Sequence, residues 1–527
     1  MLDFPSMETV LFAGYRGGAR KQQTEATVTC HPCRMRTGET GDAMTISEHR
    51  MLIDGHLVGA STGATFTNTN PATEEVIGSV ADAAAHEMDT AIGAARRAFD
   101  DTPWATDTNL RKRCLEQLVE GLKKEREEFR AELVAEAGTP VLLTYAAQLD
   151  TPIDHAFSFV LRMLDEYPWE EQRASDDLGR RMVIREPVGV VGAIVPWNFP
   201  LEVTLTKLAQ VLGAGCTAVL KPAPDTPFNA TRLGRIIAER TDIPAGVVNI
   251  VTSSDHLLGE MLATDPRVDE ISFTGSTATG RRIMSLASDT LKRLFLELGG
   301  KSANIVLDDV DLEATLPYAA SACAHAGQGC GMHTRLLLPS SIYEKGVEIL
   351  QAAFEAVPYG DPTDPTVIMG PVINRRQHQR VLGYIDGAVA EGARLVTGGH
   401  RPPQLEKGFY VEPTLFADVD NSMAIAREEV FGPVLVVIPY EGVEDAVRIA
   451  NDSPYGLVGG VVSESEDRAM GVARRIRAGA VSVGMGTTFY APDVPFGGYK
   501  QSGFGRQNGR EGLEQYLQVK TLARPPA

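Results

Sequence analysis

Residues 187–195 read Pro-Val-Gly-Val-Val-Gly-Ala-Ile-Val, apolar at every position. A strand with one wet face alternates; a run apolar throughout marks a strand buried on both faces. Such a strand needs a covering layer on each side. The following residues supply those layers. Helical spacing over 202–213 leads to a short apolar strand at 218–220. Then come a helix at 227–240, a strand at 247–251, a helix at 256–264, a strand at 270–273, a helix from about Gly280 and a strand at 294–298. Repeated β-α units at this spacing predict a parallel sheet with helices on both faces. Ligands of such sheets sit beyond the carboxyl ends of the strands. Asn198, Lys221, Thr274, Gly275 and Glu297 all fall there.

Elsewhere the patterns are of the same class. Upstream, 51–58 reads as two short strands around Asp54-Gly55, and 76–80 as another strand. Residues 85–100 and 108–138 have helical periodicity, a further long helical stretch covers 140–165, and 181–186 alternates as an exposed strand. Downstream, a second α/β segment runs through strands at 303–307, 335–338 and 435–439, with helices at 312–326, 341–356 and 373–392. A Gly-rich stretch covers 495–505, and 511–523 alternates like an edge strand. Residues 1–43 are rich in Thr, Gly and Arg without lasting periodicity and read as a disordered extension, with Met44 an alternative start. Cys30 and Cys33 form a lone C-x-x-C pair; zinc would need a second pair, so no metal is expected.

A chain of 527 residues predicts two or three domains. Its net charge of −19 argues against nucleic acid or an anionic membrane surface as partner. No run of 18 apolar residues marks a membrane-spanning helix. Six cysteines are too few for a disulfide framework, so a reducing, cytoplasmic setting is expected.

One cysteine stands out. Cys330 sits in His-Ala-Gly-Gln-Gly-Cys-Gly, where Gly327, Gly329 and Gly331 would leave the sulfur open to a ligand. The same stretch is compatible with a tight turn around a packed thiol. Other pieces decide between the two. The buried strand feeds Pro-Trp-Asn-Phe-Pro at 196–200. A later strand ends at Lys221, and a turn carries Phe-Thr-Gly-Ser-Thr at 273–277. Leu-Glu-Leu-Gly-Gly-Lys-Ser places Glu297, followed by Cys330, Glu-Glu-Val-Phe-Gly-Pro at 428–433 and Pro-Phe-Gly-Gly-Tyr-Lys-Gln-Ser-Gly at 495–503. In this order the motifs resemble the aldehyde dehydrogenase superfamily, over residues 51–523. No complete G-x-G-x-x-G follows a strand.

The resemblance implies an α/β fold with a variant Rossmann cofactor domain, an α/β catalytic domain and a small β oligomerisation element. It implies that Cys330 is the nucleophile, attacking an aldehyde to give a thiohemiacetal. Asn198 and the Cys330 backbone N–H would stabilise the oxyanion. Hydride leaves for a nicotinamide, and Glu297 activates water to hydrolyse the resulting thioester. The cofactor would lie on Ile194, Val195, Pro196, Trp197, Lys221, Ala223, Pro224, Thr274, Gly275, Ser276, Leu298, Glu429 and Phe431, with Gln377 a further contact to the ribose.

Three departures from the family pattern bear on specificity. Pro224 replaces the glutamate that in many relatives reads the adenosine ribose; Asp225 is adjacent, so NAD is expected with NADP still open. His333 follows the nucleophile closely and either touches substrate or packs in its loop. Gly484 replaces a frequent asparagine, before Phe489 and Tyr490. With Phe199, these residues suggest an apolar or aromatic aldehyde. The expected organisation is 44–168 plus 188–299 for the cofactor, 300–507 for catalysis, and 169–187 plus 508–527 for a homodimer or homotetramer contact.

Overall fold

The computed structural model describes residues 48–526, apart from 174, 178 and 487–489. The N-terminal extension, its Cys30–Cys33 pair and Phe489 lie outside the described residues.

The strand Val190–Ile194 is buried through its first four residues and sits at the centre of an eight-stranded sheet. Thr217–Lys221 and then Val248–Ile250 lie on one side of it, with Glu270–Thr274 and then Arg293–Glu297 on the other. All five are parallel. The chain therefore builds outward in one direction, returns to the centre, and builds outward in the other. The crevice between Val190–Ile194 and Glu270–Thr274 is the point where strand order reverses, and ligands bind such sheets there. The register aligns the carboxyl ends: Ile194 lies opposite Lys221, Phe273 opposite Ile194, and Thr274 opposite Glu297. Helix Pro200–Ala214 covers one face and is buried at every residue. Gly213 lets it approach Val160, since a Cβ there would come within 2.0 Å of Val160 Cγ1.

A second sheet of seven strands follows. Its six parallel strands order as Thr414–Ala417, Val434–Tyr440, His333–Pro339, Ser302–Val306, Val458–Val462 and Ala480–Val483, with Arg394–Thr397 antiparallel at one edge. Leu517–Arg524 and Glu170–Gln172 flank Arg180–Pro187 in a separate three-stranded sheet.

Late sequence ties the two large sheets together. Gly503–Phe504, from the segment read as catalytic, pairs antiparallel with the strand carrying Glu297. Gly503 has φ +108° and lies against the Leu296 carbonyl, where a Cβ would come within 1.9 Å. Beside it, the Leu298 N–H donates to the Ser502 carbonyl at 3.0 Å. Ser502 Oγ donates to the Gly299 carbonyl at 2.7 Å and accepts from the Gly456 N–H at 3.0 Å.

Several elements differ from the sequence pattern. The helical stretch at 140–165 is broken into Val141–Thr144, Asp150–His155 and Ser158–Glu166. The helix expected over 312–326 is one α-turn, Leu312–Thr315, followed by a 3₁₀ stretch that bends at Ala324 and turns left-handed at His325 and Ala326. The C-terminal alternation over 511–523 conceals a helix, Gly509–Gln515, before the strand Leu517–Arg524. Among the described residues, no helix is long and apolar enough to cross a membrane, and no cluster of His, Cys, Asp and Glu could hold a metal.

Candidate active site

A cavity of about 1410 Å³ opens between the two large sheets, at the carboxyl ends of the first. Cys330, Glu297 and Asn198 all line it. They arrive from three places: Glu297 ends a strand of the first sheet, Asn198 follows the central strand, and Cys330 precedes the first strand residue of His333–Pro339.

The segment before Cys330 reaches Asn198 by abandoning helical geometry. His325, Ala326 and Gly327 have φ of +50°, +54° and +69°. Non-glycine residues there are strained by about 1 kcal/mol or more each. The bend places His325 Nε2 2.9 Å from the Asn198 carbonyl. A carbonyl only accepts, so Nε2 carries the proton. Burial pushes this imidazole down to about 4, so it is a neutral donor at pH 7. Gln148 Nε2 donates to the same carbonyl at 3.2 Å. Asn198 Nδ2 in turn donates to the Gln328 carbonyl at 2.8 Å, which leaves its second N–H for another acceptor. Gln328 is itself held: its Nε2 donates to the His325 carbonyl at 3.1 Å and its Oε1 accepts from the Ile373 N–H at 2.9 Å. The glycine-rich loop is thus tightly bonded.

The glycines around Cys330 do something different from exposing its sulfur. At Gly327 a Cβ would fall 2.0 Å from the Gly432 carbonyl, and at Gly329 it would meet Met332 Cγ at 2.9 Å. They allow chain to pass against chain. Cys330 itself is half-exposed on the cavity wall and packs on Leu457, Val458 and Phe496. Gly300 lies against its backbone, where a Cβ would meet the Cys330 carbonyl at 2.5 Å. Desolvation pushes the thiol well above its ordinary range, and Glu297, Glu429 and Glu202 add to the shift. The thiol form is favoured until a base accepts its proton.

Glu297 is that kind of group. Neither carboxyl oxygen has a hydrogen-bond partner among the described residues. Burial lifts it to about 8, Lys207 and Arg506 pull it back, and Glu202 lifts it further. Lys207 is buried too; its Nζ donates to Ser272 Oγ at 3.0 Å and lies 4.4 Å from the centre of the Phe295 ring. Its pKa is lowered to about 8, chiefly by burial.

Every residue expected to hold a dinucleotide lines the same cavity. Lys221 is buried at its strand end, and Nζ donates to the Ser253 carbonyl at 3.4 Å. Ser276 caps helix Thr277–Ala287, accepting from the Thr279 N–H at 3.2 Å, so the first-turn N–H groups face the cavity with their partial positive charge. Thr274 Oγ1 beside it is buried with no hydrogen-bond partner among the described residues. Trp197 and Phe431 meet edge to face, 5.3 Å between ring centres. Glu429 Oε1 accepts from the Gly300 N–H at 2.8 Å, and Gly299 makes room for it. A buried hydroxyl, a helix N-terminus and an oriented carboxylate suit the diphosphate and ribose of a dinucleotide. Gln377 also lines the cavity, but its amide is spent on the Val430 and Phe431 carbonyls, at 3.2 and 2.8 Å. Asp225, next to Pro224, accepts from Asn374 Nδ2 at 2.8 Å.

On the substrate side the cavity meets Phe199, Tyr490 and His333. Phe199 stacks edge-on against His325, and Tyr490 against Phe496. The His333 imidazole is pushed down to about 4 by burial, against a hydrogen bond with the Gly459 backbone. Its Nε2 has no partner among the described residues. The sequence reading missed Glu202, which also lines the chamber. Its helix also carries Thr204, Thr206, Lys207 and Gln210, so the sequence pattern does not mark it; the burial of every residue of that helix does.

The model of the aldehyde dehydrogenase family matches residues 58–522. The 3-succinoylsemialdehyde-pyridine dehydrogenase of a Pseudomonas species is 41% identical over 475 residues, which are 89% of this chain and 97% of that protein. The crystal structure of a Mycobacterium tuberculosis aldehyde dehydrogenase complexed with NAD+ superposes with a TM-score of 0.87 at 42% identity, covering 91% of this chain and 98% of that one. A mutant of aldehyde dehydrogenase C from Pseudomonas syringae, complexed with NAD+ and octanal, gives a TM-score of 0.85 at 36% identity, over 90% and 96% of the two chains.

Proposed function

Since this chain belongs to the aldehyde dehydrogenase family, we propose that it oxidises an apolar or aromatic aldehyde to its carboxylic acid with NAD, through a thioester on Cys330. The observation that carries this reading is the meeting of Cys330, Asn198 and an unpaired, buried Glu297 on one cavity wall.

Glu297 takes the Cys330 thiol proton and passes it to solvent; as the thiolate attacks, Asn198 donates its uncommitted N–H, with the Cys330 backbone N–H, to the carbonyl oxygen. Each donor of this kind contributes about 3–4 kcal/mol to the transition state. NAD, when bound, accepts the hydride that leaves the carbon. Thr274, Gly275 and Ser276 would hold its diphosphate over the helix N-terminus and Lys221, near Pro224, its adenosine ribose, with Ile194–Trp197, Ala223 and Leu298 along its length and Glu429 and Phe431 at the nicotinamide. Glu297 then takes a proton from water, whose oxygen attacks the thioester carbonyl and releases the Cys330 thiolate. A relative complexed with NAD+ supports the choice of cofactor, and one complexed with octanal supports an apolar aldehyde. Retention of Glu297 favours hydrolysis over transfer to coenzyme A. A cytoplasmic setting suits a nucleophile that must stay reduced.

The same reading gives the first sheet to the cofactor and the second to catalysis. Leu517–Arg524 is exposed beyond its first residue, including Val519 and Leu522. We assign the three-stranded sheet to a homodimer or homotetramer contact; a light-scattering mass near the 56.8 kDa of one chain would refute it.

Absorbance at 340 nm with benzaldehyde, hexanal and succinic semialdehyde, each with NAD and NADP, tests the whole. The expected result is oxidation of the first two in preference to the third, with NAD. No reduction of either cofactor by any aldehyde overturns it.

A further inference from the structure

One group on the chamber wall has no part in the chemistry above. Glu202 lies in the first turn of helix Pro200–Ala214, beside Phe199 and Val203 on the cavity wall. The residue is 7% exposed. Its carboxyl has one hydrogen-bond contact among the described residues, from Thr206 Oγ1 at 3.5 Å. That hydroxyl is already committed, donating to the Glu202 carbonyl at 2.8 Å and accepting from Gln507 Nε2. The lining of the same cavity includes the apolar residues Leu143, Ala146 and Ala147. Burial lifts the carboxyl to about 8, with Lys207 pulling back.

A buried carboxyl held this loosely costs about 1–3 kcal/mol unless something satisfies it. The described residues supply no close partner, and the group lines the cavity in which the aldehyde's body must lie. We propose that Glu202 is a specificity residue that reads a hydrogen-bond donor on the substrate, so that preferred aldehydes carry a hydroxyl or ammonium on an otherwise apolar or aromatic frame. This rests on the aldehyde oxidation proposed above and narrows it. A bare aldehyde leaves the carboxyl desolvated and unpaired; a donor-bearing one bonds to it. Sites built to bond a substrate O–H or N–H discriminate far more strongly than sites that only measure size.

The test measures kcat/KM for two pairs, 3-hydroxybenzaldehyde with benzaldehyde and 4-aminobutanal with butanal. Wild type, Glu202→Gln and Glu202→Leu are compared. Ratios within a pair cancel any loss of folded enzyme, which a purely structural role would produce. The wild type is expected to favour the donor-bearing member of at least one pair by about tenfold or more; the hydroxyl and ammonium arms show which donor is read. Glu202→Leu should bring that ratio to one or below. Glu202→Gln should retain part of a hydroxyl preference and lose an ammonium preference. Turnover with flat wild-type ratios, or a Leu variant that keeps them, overturns the assignment alone. Turnover of no aldehyde overturns it together with the parent reading.

Discussion

Two groups of buried charge lie against the first sheet, and they are built on opposite plans. In one, each of the three guanidinium nitrogens of Arg232 donates: Nε and Nη2 to Glu132 at 2.9 and 2.7 Å, and Nη1 to Glu125 at 2.8 Å. In the other, Glu297 has no hydrogen-bond partner among the described residues, Glu202 has one distant one, and Glu270 meets Arg293 only at 3.7 Å. All three of these carboxyls are lifted to about 8 by burial. The first plan joins helix Phe228–Arg240, through Arg232, to Glu132 inside Arg126–Ala137 and to Glu125, the residue between that helix and Thr108–Lys124. At Glu297 and Glu202, which line the cavity, the second leaves carboxyls unsatisfied where a reacting molecule can use them, while Glu270 lies at the far end of its strand. Groups with strongly perturbed protonation gather at functional sites for this reason.

The contrast can be broken by substitution. Cys330→Ala is expected to lower turnover on the order of 10⁴-fold or more, while NAD binding, followed by fluorescence, and Tm stay near wild type. Substantial turnover in that variant removes the chamber from the chemistry. Arg232→Met, in the paired cluster, should do the reverse. Leaving Glu132 buried without its cation, while Glu125 keeps Arg235 and Arg240, costs about 3–5 kcal/mol, read by urea denaturation, while kcat of the folded fraction holds. If Arg232→Met instead abolished kcat without destabilising the chain, the two clusters would not be separate in kind.

The smallest effect sharpens the comparison. Glu297 must be ionised to accept a proton, and its pKa stands near 8, above the ordinary carboxylate range. Below pH 8 the protonated form dominates, so kcat for a substrate limited by thioester hydrolysis falls about tenfold per pH unit towards pH 6. Above pH 8 this limb levels off. Glu297→Gln should remove the limb along with most of the turnover. A wild-type kcat flat from pH 6 to 9 would refute Glu297 as the titrating base.

Much of this was legible because burial and chemistry leave marks at fixed places. The run at 187–195 predicts the central strand, and Asn198, Glu297 and Cys330 are found on one cavity. What was not legible depends on long-range contact. Ala319, Ala320, Ala322, Ala324 and Ala326 are good helix formers, and local propensity points to a helix through 326. The bonds from His325 to Asn198 and within the Gln328 loop override it. Glu202 resembles an ordinary acidic residue in a first helical turn, where charge opposes the helix dipole favourably; only the burial of the whole helix reveals it. The C-terminal alternation is true of Leu517–Arg524 but extends by accident into Gly509–Gln515, whose Tyr516 neighbour must turn inward to reach Ser272 Oγ at 2.8 Å.

Ser502 has a consequence in the order of synthesis. A chain emerges from its N-terminus at about 5–20 residues per second. Asn198, Glu297 and Cys330 are therefore all made well before the segment that braces the Glu297 strand and bonds Gly299 to Gly456. For that interval the nascent protein holds every reacting group and lacks the clasp between the two sheets. Synthesis of that segment is then also the step that closes the site, and a chain cut short before Ser502 carries the thiol without the brace that sets it against its base.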